Sequence, residues 1–336
     1  MYKKIIEKIL KEHNLWNNDF TILANKNIRG QSISYFVYDN NDVPIYIGKY
    51  FNYLKDISIP PSIKVEECEN VEDLFEKLVD CDDFLEDIDR VSDLIYYNKR
   101  SFTRYVEVCN EYDSQFPKVY YSLEDIKINQ AFYSILIEEA INGVTLEEYI
   151  KTYTDDRINL VIKFLWDMSL IIEKFVEHDI VHRDLSPDNI MIQSDKIRVI
   201  DPGVVKIVSR NSTEFGYIMG KRHYVSPEQY YGYALNADFT SDLYSIGIVA
   251  FEIVTKINPI KMYIDKSCVK PHEELLNKMD REIEDIFFSE VDENKKSQQV
   301  FLVLGKLLQV ERKNRFSTID SFKETLRVLR EDFNND

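Results

Sequence analysis

Hydrophobic and polar positions follow two different periods along the chain, and the change of period divides the chain into two parts. Before about residue 140, apolar residues lie in short runs rich in β-branched and aromatic side chains, as is typical of strands. The runs span residues 20–23, 34–38, 43–51, 118–122 and 132–137. From residue 146 onward the pattern is mostly helical, apart from a strand-and-loop section at 180–225. Strands first and helices afterwards predict an α+β fold in two lobes.

Three segments outside these runs are predicted to be helical or exposed. The apolar residues near the N-terminus recur at helical spacing, which predicts a short amphipathic helix that docks on the body of the protein. Acidic residues are dense between about residues 52 and 95, so we expect a surface-exposed and partly helical insert there. A further helix is predicted at 99–115, because Phe116-Pro117 ends it.

The formal net charge of −17 limits the classes of partner. A nucleic-acid-binding protein usually carries a basic face, and an anionic membrane surface would repel this chain, so we expect neither partner. The charge indicates solubility first and, as a sharper alternative, a preference for basic protein substrates.

Cysteine usage and hydropathy favour a cytoplasmic protein. The four cysteines form no CxxC pair and no cluster with histidine, which argues against a zinc site and favours a reducing compartment. The N-terminus lacks the apolar core of a signal peptide. The longest apolar stretch, 246–254, is interrupted by Glu252 and is too short to span a bilayer, so we expect a buried helix there.

The candidate chemistry lies in a polar motif, His182-Arg183-Asp184, that a short apolar strand follows. Asn189 stands five residues after Asp184, and Asp201 stands twelve residues after Asn189. Two loops joined by a tight hairpin would bring these three side chains to one edge of a cleft. Amide and carboxylate oxygens suit Mg²⁺, which is a hard cation.

This motif and its spacing resemble the catalytic loop and the metal-binding loop of protein kinases of the bacterial serine/threonine type. The resemblance covers residues 19–325 and implies that the chain binds ATP and Mg²⁺. It implies that Asp184 orients the substrate hydroxyl and accepts its proton, and that Asn189 and Asp201 hold Mg²⁺. Phosphoryl transfer depends on positioning and charge neutralisation, so a small set of side chains suffices.

Three downstream residues resemble the shelf on which protein kinases bind a peptide. By this resemblance Glu228 and Arg315 form a buried ion pair, and Asp242 accepts hydrogen bonds from the backbone of the catalytic loop. Kinases of aminoglycosides or choline share the catalytic loop but generally lack this set. The set therefore argues against a small-molecule kinase.

The resemblance also assigns nucleotide-binding positions in the first part of the chain. Lys49 resembles the lysine that holds the nucleotide phosphates, and Glu107 is its expected partner from a helix. Glu138 takes the gatekeeper position, and Gly30 is the one glycine kept in the loop that covers the phosphates. The adenine-binding positions are Glu139, Ile141 and Met191.

Two positions depart from the family pattern as a pair. Serine/threonine kinases of the family usually carry lysine where Ser186 stands and threonine where Lys221 stands. We expect the two side chains to touch, with Lys221 supplying charge at the γ-phosphate and Ser186 supplying the hydroxyl.

Arg183 resembles the arginine that binds a phosphorylated residue of the activation segment. Ser212 and Thr213 are the candidates for phosphorylation, together with Ser209 and, less favoured, Tyr217. The alternative is that these hydroxyls are ordinary loop residues.

The sequence therefore predicts an N-lobe at 1–139, a C-lobe at 140–336 and a kinase that phosphorylates serine and threonine of proteins, including itself. One alternative is a pseudokinase scaffold. It is favoured by a phosphate-covering loop that keeps only one glycine, Gly30, and by Pro202, an unusual residue directly after the metal-binding Asp201. The other is a small-molecule kinase. The intact Lys49, Asp184 and Mg²⁺ ligands favour the enzyme, and the oligomeric state stays open.

Overall fold

A computed structural model of the chain divides into two compact units, Met1–Asn142 and Gly143–Asp336. The structure describes residues 1–25, 32–54, 57–112, 116–153, 155–194, 196–203, 205–207 and 220–331. The elements of the first unit are α1 (Tyr2–Glu12), β1 (Thr21–Ala24), β2 (Ser32–Tyr38), β3 (Pro44–Asn52), α2 (Val71–Val79), α3 (Ile88–Glu111), β4 (Val119–Ile128) and β5 (Ala131–Glu139).

The first unit is built on an antiparallel sheet with the strand order β1-β2-β3-β5-β4. All five predicted strand runs lie in this sheet, so this part of the fold prediction is confirmed. A tight turn joins the second and third of these strands. Asp39 accepts hydrogen bonds from the backbone N–H groups of Asn41 and Val43, and Asp42 has a φ of 58°.

Helix α1 packs on one face of this sheet, as its amphipathic pattern predicts. Ile6, Ile9 and Leu10 are buried in a cluster with sheet residues such as Tyr50. Gly48 in β3 makes room for the helix, because a Cβ atom at this position would lie 2.6 Å from Cδ1 of Ile6. A glycine that weakens the strand interior therefore permits a close contact between helix and sheet.

The acidic segment is partly helical and most of its described acidic side chains are exposed, as predicted for residues 52–95, but its apolar residues are packed. Its apolar residues form a cluster of their own that includes Val65, Leu74 and Leu78 and closes on Phe132 of β5. Helix α2 begins at the cap residue Asn70, whose side chain accepts a hydrogen bond from the N–H of Asp73. The acidic side chains alternate with these buried positions, so acidity alone did not reveal the packing.

Helix α3 begins eleven residues before the predicted start at residue 99 and ends at Glu111. Asp87 caps it by accepting hydrogen bonds from the N–H groups of Asp89 and Arg90. Its buried residues recur every three or four positions from Val91 onward. The helix therefore joins the packed acidic segment to the sheet as one continuous element.

The second unit is mainly helical. Its strands are β6 (Val144–Thr145), β7 (Ile180–Val181), β8 (Ile190–Gln193), β9 (Lys196–Val199) and β10 (Lys206–Ile207). Its helices are α4 (Leu146–Thr152), α5 (Arg157–Glu177), α6 (Pro227–Tyr230), α7 (Phe239–Thr255), α8 (Pro259–Asp265), α9 (Pro271–Asn277), α10 (Glu284–Phe288), α11 (Lys295–Leu307) and α12 (Ile319–Glu331). Helix α7 is almost wholly buried, as predicted for 246–254, and it packs against α5 and α11.

In the part of the chain that the structure describes, no single helix has the length and apolarity needed to cross a membrane. Only α7 and α8 together reach that length and composition, and they are bent by 89° at the break between them.

Candidate active site

Asp184 lies in the loop between β7 and β8, where two groups of its own unit hold its carboxylate. Oδ1 accepts a hydrogen bond of 2.8 Å from the backbone N–H of Lys221, and Oδ2 accepts one of 2.8 Å from the side-chain amide of Asn189. Burial raises the pKa of Asp184 to about 6, although Lys221 acts in the opposite direction. The carboxylate is therefore fixed in orientation and more basic than an exposed aspartate.

Lys221 connects the catalytic loop to the segment that begins at residue 220. Its ammonium group donates to Ser186 Oγ at 2.8 Å and lies 2.9 Å from Asp188 Oδ2. The predicted contact between Lys221 and Ser186 is thus present. Gly220 has a φ of 95°, and a Cβ atom there would lie 2.3 Å from the carbonyl oxygen of Arg183. A side chain at position 220 would displace Lys221 from the loop.

Strands β8 and β9 form the hairpin that joins Asn189 to Asp201. Ile190 pairs with Val199, and the N–H of Ile200 donates to the carbonyl of Asn189 at 2.9 Å. The amide nitrogen of Asn189 is directed at Asp184, so its amide oxygen stays available as a ligand. Asp201 is exposed with a φ of 61°.

This donor set fits Mg²⁺, which usually takes one or two protein oxygens and completes its shell with phosphates and water. It does not fit a metal held by protein alone. Among the described residues, no three or more histidine, cysteine, aspartate or glutamate side chains are grouped as such a site requires.

Asp242, near the start of α7, fixes the backbone of the catalytic loop. Its two oxygens accept hydrogen bonds from the N–H groups of His182 at 2.8 Å and Arg183 at 2.9 Å. Burial raises the pKa of Asp242 to about 7, against the effect of these two donors. Burial also lowers the pKa of His182 to about 4, so its imidazole, which stacks on Phe175, is neutral at pH 7.

The expected ion pair between Glu228 and Arg315 is present and buried. The guanidinium nitrogens lie 2.9 and 3.0 Å from the two oxygens of Glu228, which is a bidentate arrangement. Burial acts to raise the pKa of Glu228, but the hydrogen bond and charge of Arg315 outweigh it and lower the pKa overall. Next to this pair, the side-chain amide of Gln229 donates to the carbonyl of Arg183 at 2.9 Å. This hydrogen bond therefore joins α6, which contains Glu228 and Gln229, to the loop that contains Arg183 and Asp184.

Lys49 is buried in the first unit, and its described contacts correct the choice of Glu107 as its partner. The ammonium group lies 2.7 Å from Glu138 Oε1 and 2.7 Å from the hydroxyl of Tyr105. Glu107 lies on an exposed position of α3. It stands two residues after Tyr105, about 200° around the helix axis, so the two side chains leave the helix on different sides.

The predicted adenine-binding residues lie in strands or just after one. Glu139 ends β5, and its N–H donates to the carbonyl of Lys118 at 2.8 Å. Ile141 follows in the same unit and is buried. Met191 lies in β8 of the second unit, paired with Thr145 of β6.

Three predicted residues, Gly30, Ser212 and Thr213, lie outside the described residues, as do Ser209 and Tyr217. Arg183, which is expected to bind a phosphorylated residue of the activation segment, is completely buried and has a φ of 66°.

The sequence analysis assigned no role to three residues that contact predicted residues of their own unit. Asp188 bridges Ser186 and Lys221, and its place inside the catalytic motif was the available signal. Gln229 directly follows Glu228 in the run Pro227–Tyr230. Tyr105 gave no separate signal, because it occupies an ordinary buried position of an amphipathic helix.

Curated relatives are similar to this chain over part of its length. A probable serine/threonine-protein kinase PknB of Lactococcus lactis is 36% identical over 126 residues, which are 36% of this chain and 19% of that protein. The serine/threonine-protein kinase PknB of Mycolicibacterium smegmatis is 32% identical over 124 residues, 36% of this chain and 20% of that protein. The serine/threonine-protein kinase D of a Synechocystis species is 30% identical over 169 residues, 48% of this chain and 31% of that protein. The matches therefore span between a fifth and a third of these relatives.

A family model described as a protein kinase domain matches residues 98–327, which is more than half of the chain. The matched region contains the loop of Asp184, the hairpin of Asn189 and Asp201, and the ion pair of Glu228 and Arg315. The chain belongs to the protein kinase family and has its fold, with an antiparallel sheet in the first unit and a helical second unit.

Proposed function

We propose that this chain is an ATP- and Mg²⁺-dependent kinase that phosphorylates serine and threonine hydroxyls of proteins, its own included. The orientation of the Asp184 carboxylate carries the proposal, because Asn189 and Lys221 hold both of its oxygens. The names of the relatives, serine/threonine-protein kinases, support the same substrate class.

Each side chain of the catalytic loop and the hairpin has a defined task in this proposal. Asp184 would orient the substrate hydroxyl and accept its proton as the oxygen bonds to the γ-phosphorus and the bond to ADP breaks. A pKa of about 6 leaves this carboxylate ionised at neutral pH while keeping appreciable affinity for a proton. Asn189 and Asp201 would hold Mg²⁺, which neutralises phosphate charge when bound.

The peptide substrate would bind next to the segment that Glu228 and Arg315 anchor. Removing one partner of such a buried pair costs about 3–5 kcal/mol, so this pair serves to keep the segment in place. A net charge of −17 favours basic substrates. A cytoplasmic location is also part of the proposal, supported by the lack of disulfide bonds among the four cysteines, all of which lie in the described part of the chain.

The pseudokinase scaffold remains the second candidate because of the loop with the single glycine Gly30 and because Pro202 follows the metal-binding aspartate. A scaffold would bind partners through the kinase fold without turnover. The two functions make opposite predictions for labelled ATP.

The test is incubation of the purified chain with labelled ATP and Mg²⁺, beside Asp184→Asn. Label on the wild type alone, mapped to serine or threonine, is the expected result, and Ser212 and Thr213 are the first positions to examine. If neither protein labels itself or a basic substrate, and ATP with Mg²⁺ does not raise the melting temperature, the scaffold is the better account.

A further inference from the structure

Lys49 is a buried cation whose charge is balanced from within the sheet. It is 8% exposed, and the carboxylate of Glu138, 2% exposed, lies 2.7 Å away. A buried ammonium group is costly unless a charged and hydrogen-bonded partner accompanies it. Glu138 supplies that partner to Lys49.

The sheet register determines this pairing. Lys49 of β3 lies opposite Leu136 of β5, and Glu138 stands two residues further along β5. Leu136 and Glu138 share a face, since side chains of a strand alternate between the two faces. Long side chains at such diagonal positions reach each other. The distance between ammonium and carboxylate is therefore set by backbone hydrogen bonds and not by the position of a helix.

The hydroxyl of Tyr105 closes the contact from the side of α3. It accepts a hydrogen bond from Lys49 at 2.7 Å and donates one to Glu138 Oε2 at 2.8 Å. Tyr105 is fully buried, and its ring lies edge-on to Phe51 of β3. Helix α3 thus touches the lysine through an uncharged group.

We propose that Glu138 is the positioning carboxylate of Lys49, and that Tyr105 orients this carboxylate and links the pair to α3. The inference rests on the proposed function, since Lys49 is the residue that would hold the nucleotide phosphates. Nucleotide binding then depends on a charge fixed in β5. A displacement of α3 removes one neutral hydrogen-bonding group and leaves the ion pair intact.

The test compares three variants for affinity toward a non-hydrolysable ATP analogue with Mg²⁺ and for KM and kcat. Glu138→Gln removes the charge at constant shape, Tyr105→Phe removes the linking hydroxyl, and Glu107→Gln removes the competing carboxylate of α3. Matched controls are Glu124→Gln on β4, where Thr103 donates to an exposed carboxylate, and Tyr96→Phe on the exposed side of α3.

Glu138→Gln should weaken nucleotide affinity and raise KM by about tenfold or more, the scale of one lost charge-assisted contact. Tyr105→Phe should have a smaller effect. Placing a carboxylate on α3, Tyr105→Glu in the Glu138→Gln background, should restore part of the affinity because it returns a negative charge to Lys49.

A readout without nucleotide checks the contact itself. Glu138→Gln should lower the melting temperature, and adding Lys49→Met should cause no further loss because no unbalanced cation then remains. This coupling is measurable whether or not the chain binds ATP, so it separates a failure of this inference from a failure of the proposed function.

Three outcomes would overturn the inference. The first is a Glu107→Gln loss equal to or greater than that of Glu138→Gln, which would assign the role to the helix carboxylate. The second is tighter nucleotide binding by Glu138→Gln, which would make the contact inhibitory. The third is melting temperatures that change independently in the double-mutant cycle. If the double-mutant cycle shows the coupling but the wild type binds no nucleotide, the proposed function is overturned. The role of Glu138 in nucleotide binding is then overturned as well.

Discussion

Lys221 contributes both its backbone and its side chain to the catalytic loop. Its N–H holds Asp184, and its ammonium group contacts Ser186 and Asp188. Burial acts to raise the pKa of Asp188, but the charge and hydrogen bond of Lys221 outweigh burial and lower it overall. The side chain of Lys221 is still 37% exposed, so it can also meet a ligand from solvent.

Lys221→Met should lower kcat by about a hundredfold, the usual scale for loss of a preorganised charge at a transferring phosphoryl group. The KM for ATP should change less, because the lost contact forms mainly in the transition state. Steady-state kinetics measure both constants. Lys278→Met is a matched control, since Lys278 is 42% exposed and lies outside this network.

The reciprocal exchange is the sharper variant for the same residue. Ser186→Lys combined with Lys221→Thr places the two groups as other members of the family carry them, and it should recover part of the turnover that Lys221→Met loses. Unchanged turnover in Lys221→Met would show that the lysine only stabilises Asp188.

Single residues of the second unit were predictable because they stand in short motifs with fixed spacing. Asp184, Asn189 and Asp201 are separated only by loops and one hairpin, so local sequence determines their arrangement. The partner of Lys49 was not predictable in this way. Glu138 is 89 residues away in sequence, and the pairing depends on the register between β3 and β5.

Among the elements, α1 shows how a strand accommodates a helix. Gly48 is the point of closest approach, where Ile6 occupies the space that a side chain would need. The apolar spacing of the helix predicted its docking, but only the packing explains why a glycine stands in the middle of the strand.

Gly48→Ala should destabilise the first unit by about 1–3 kcal/mol, because the added methyl group overpacks the contact with Ile6. Ile6→Ala alone should cost about 2–5 kcal/mol through the cavity it leaves. The double variant should lose at least about 1 kcal/mol less than the sum, since each change relieves the other.

The measurement is urea unfolding in a Trp166→Phe background, so that Trp16 alone reports on the first unit. Gly305→Ala in the second unit is the control: a Cβ atom there meets nothing closer than 3.9 Å and alanine favours the helix, so the transition that Trp16 reports should not change. Additive losses for Gly48→Ala and Ile6→Ala would show that the two residues do not share space.

The segment before residue 99 marks the limit of element prediction. The side chains of Asn70 and Asp87 cap its two helices, α2 and α3. The high density of acidic residues made the apolar positions of this segment hard to recognise, because the same helices carry a solvated face and a packed face. Composition averaged over the segment therefore predicted its exposed acidic face but not its packed apolar face.

At the scale of the whole molecule, stability in acid depends on opposing groups. The chain carries a net charge of −17 at neutral pH, and this repulsion decreases as the pH falls toward the isoelectric point of about 4.9. Buried histidines act in the other direction, because they must stay neutral in the folded state.

His272 is the clearest such histidine. Burial lowers its pKa to about 3, the charge of Glu228 opposes this shift, and Arg315 adds to it. Its Nδ1 lies 2.8 Å from the hydroxyl of Tyr244, while no group in the described part of the chain bonds to its Nε2. The rings of Tyr230 and Tyr231 also face it, so protonation would place a charge among aromatic side chains.

The folded-state pKa of His272 is depressed below about 6.5, the value for an unfolded histidine. Its contribution to stability is therefore complete above pH 6.5 and is lost as the pH falls toward 3. Between about pH 5.5 and pH 4, the free energy of unfolding should fall by up to about 1.4 kcal/mol per pH unit more in the wild type than in His272→Gln.

Urea unfolding at a series of pH values measures this slope, with Trp16→Phe as the background so that Trp166 reports on the second unit. His178→Gln removes an exposed histidine of the same unit and controls for the change in net charge. Both variants remove one ionisable histidine of ordinary pKa from the unfolded chain, so the burial of His272 in the folded unit is what separates their slopes. Parallel slopes in the two variants would mean that His272 is protonated in the folded unit, contrary to its packing against Tyr244.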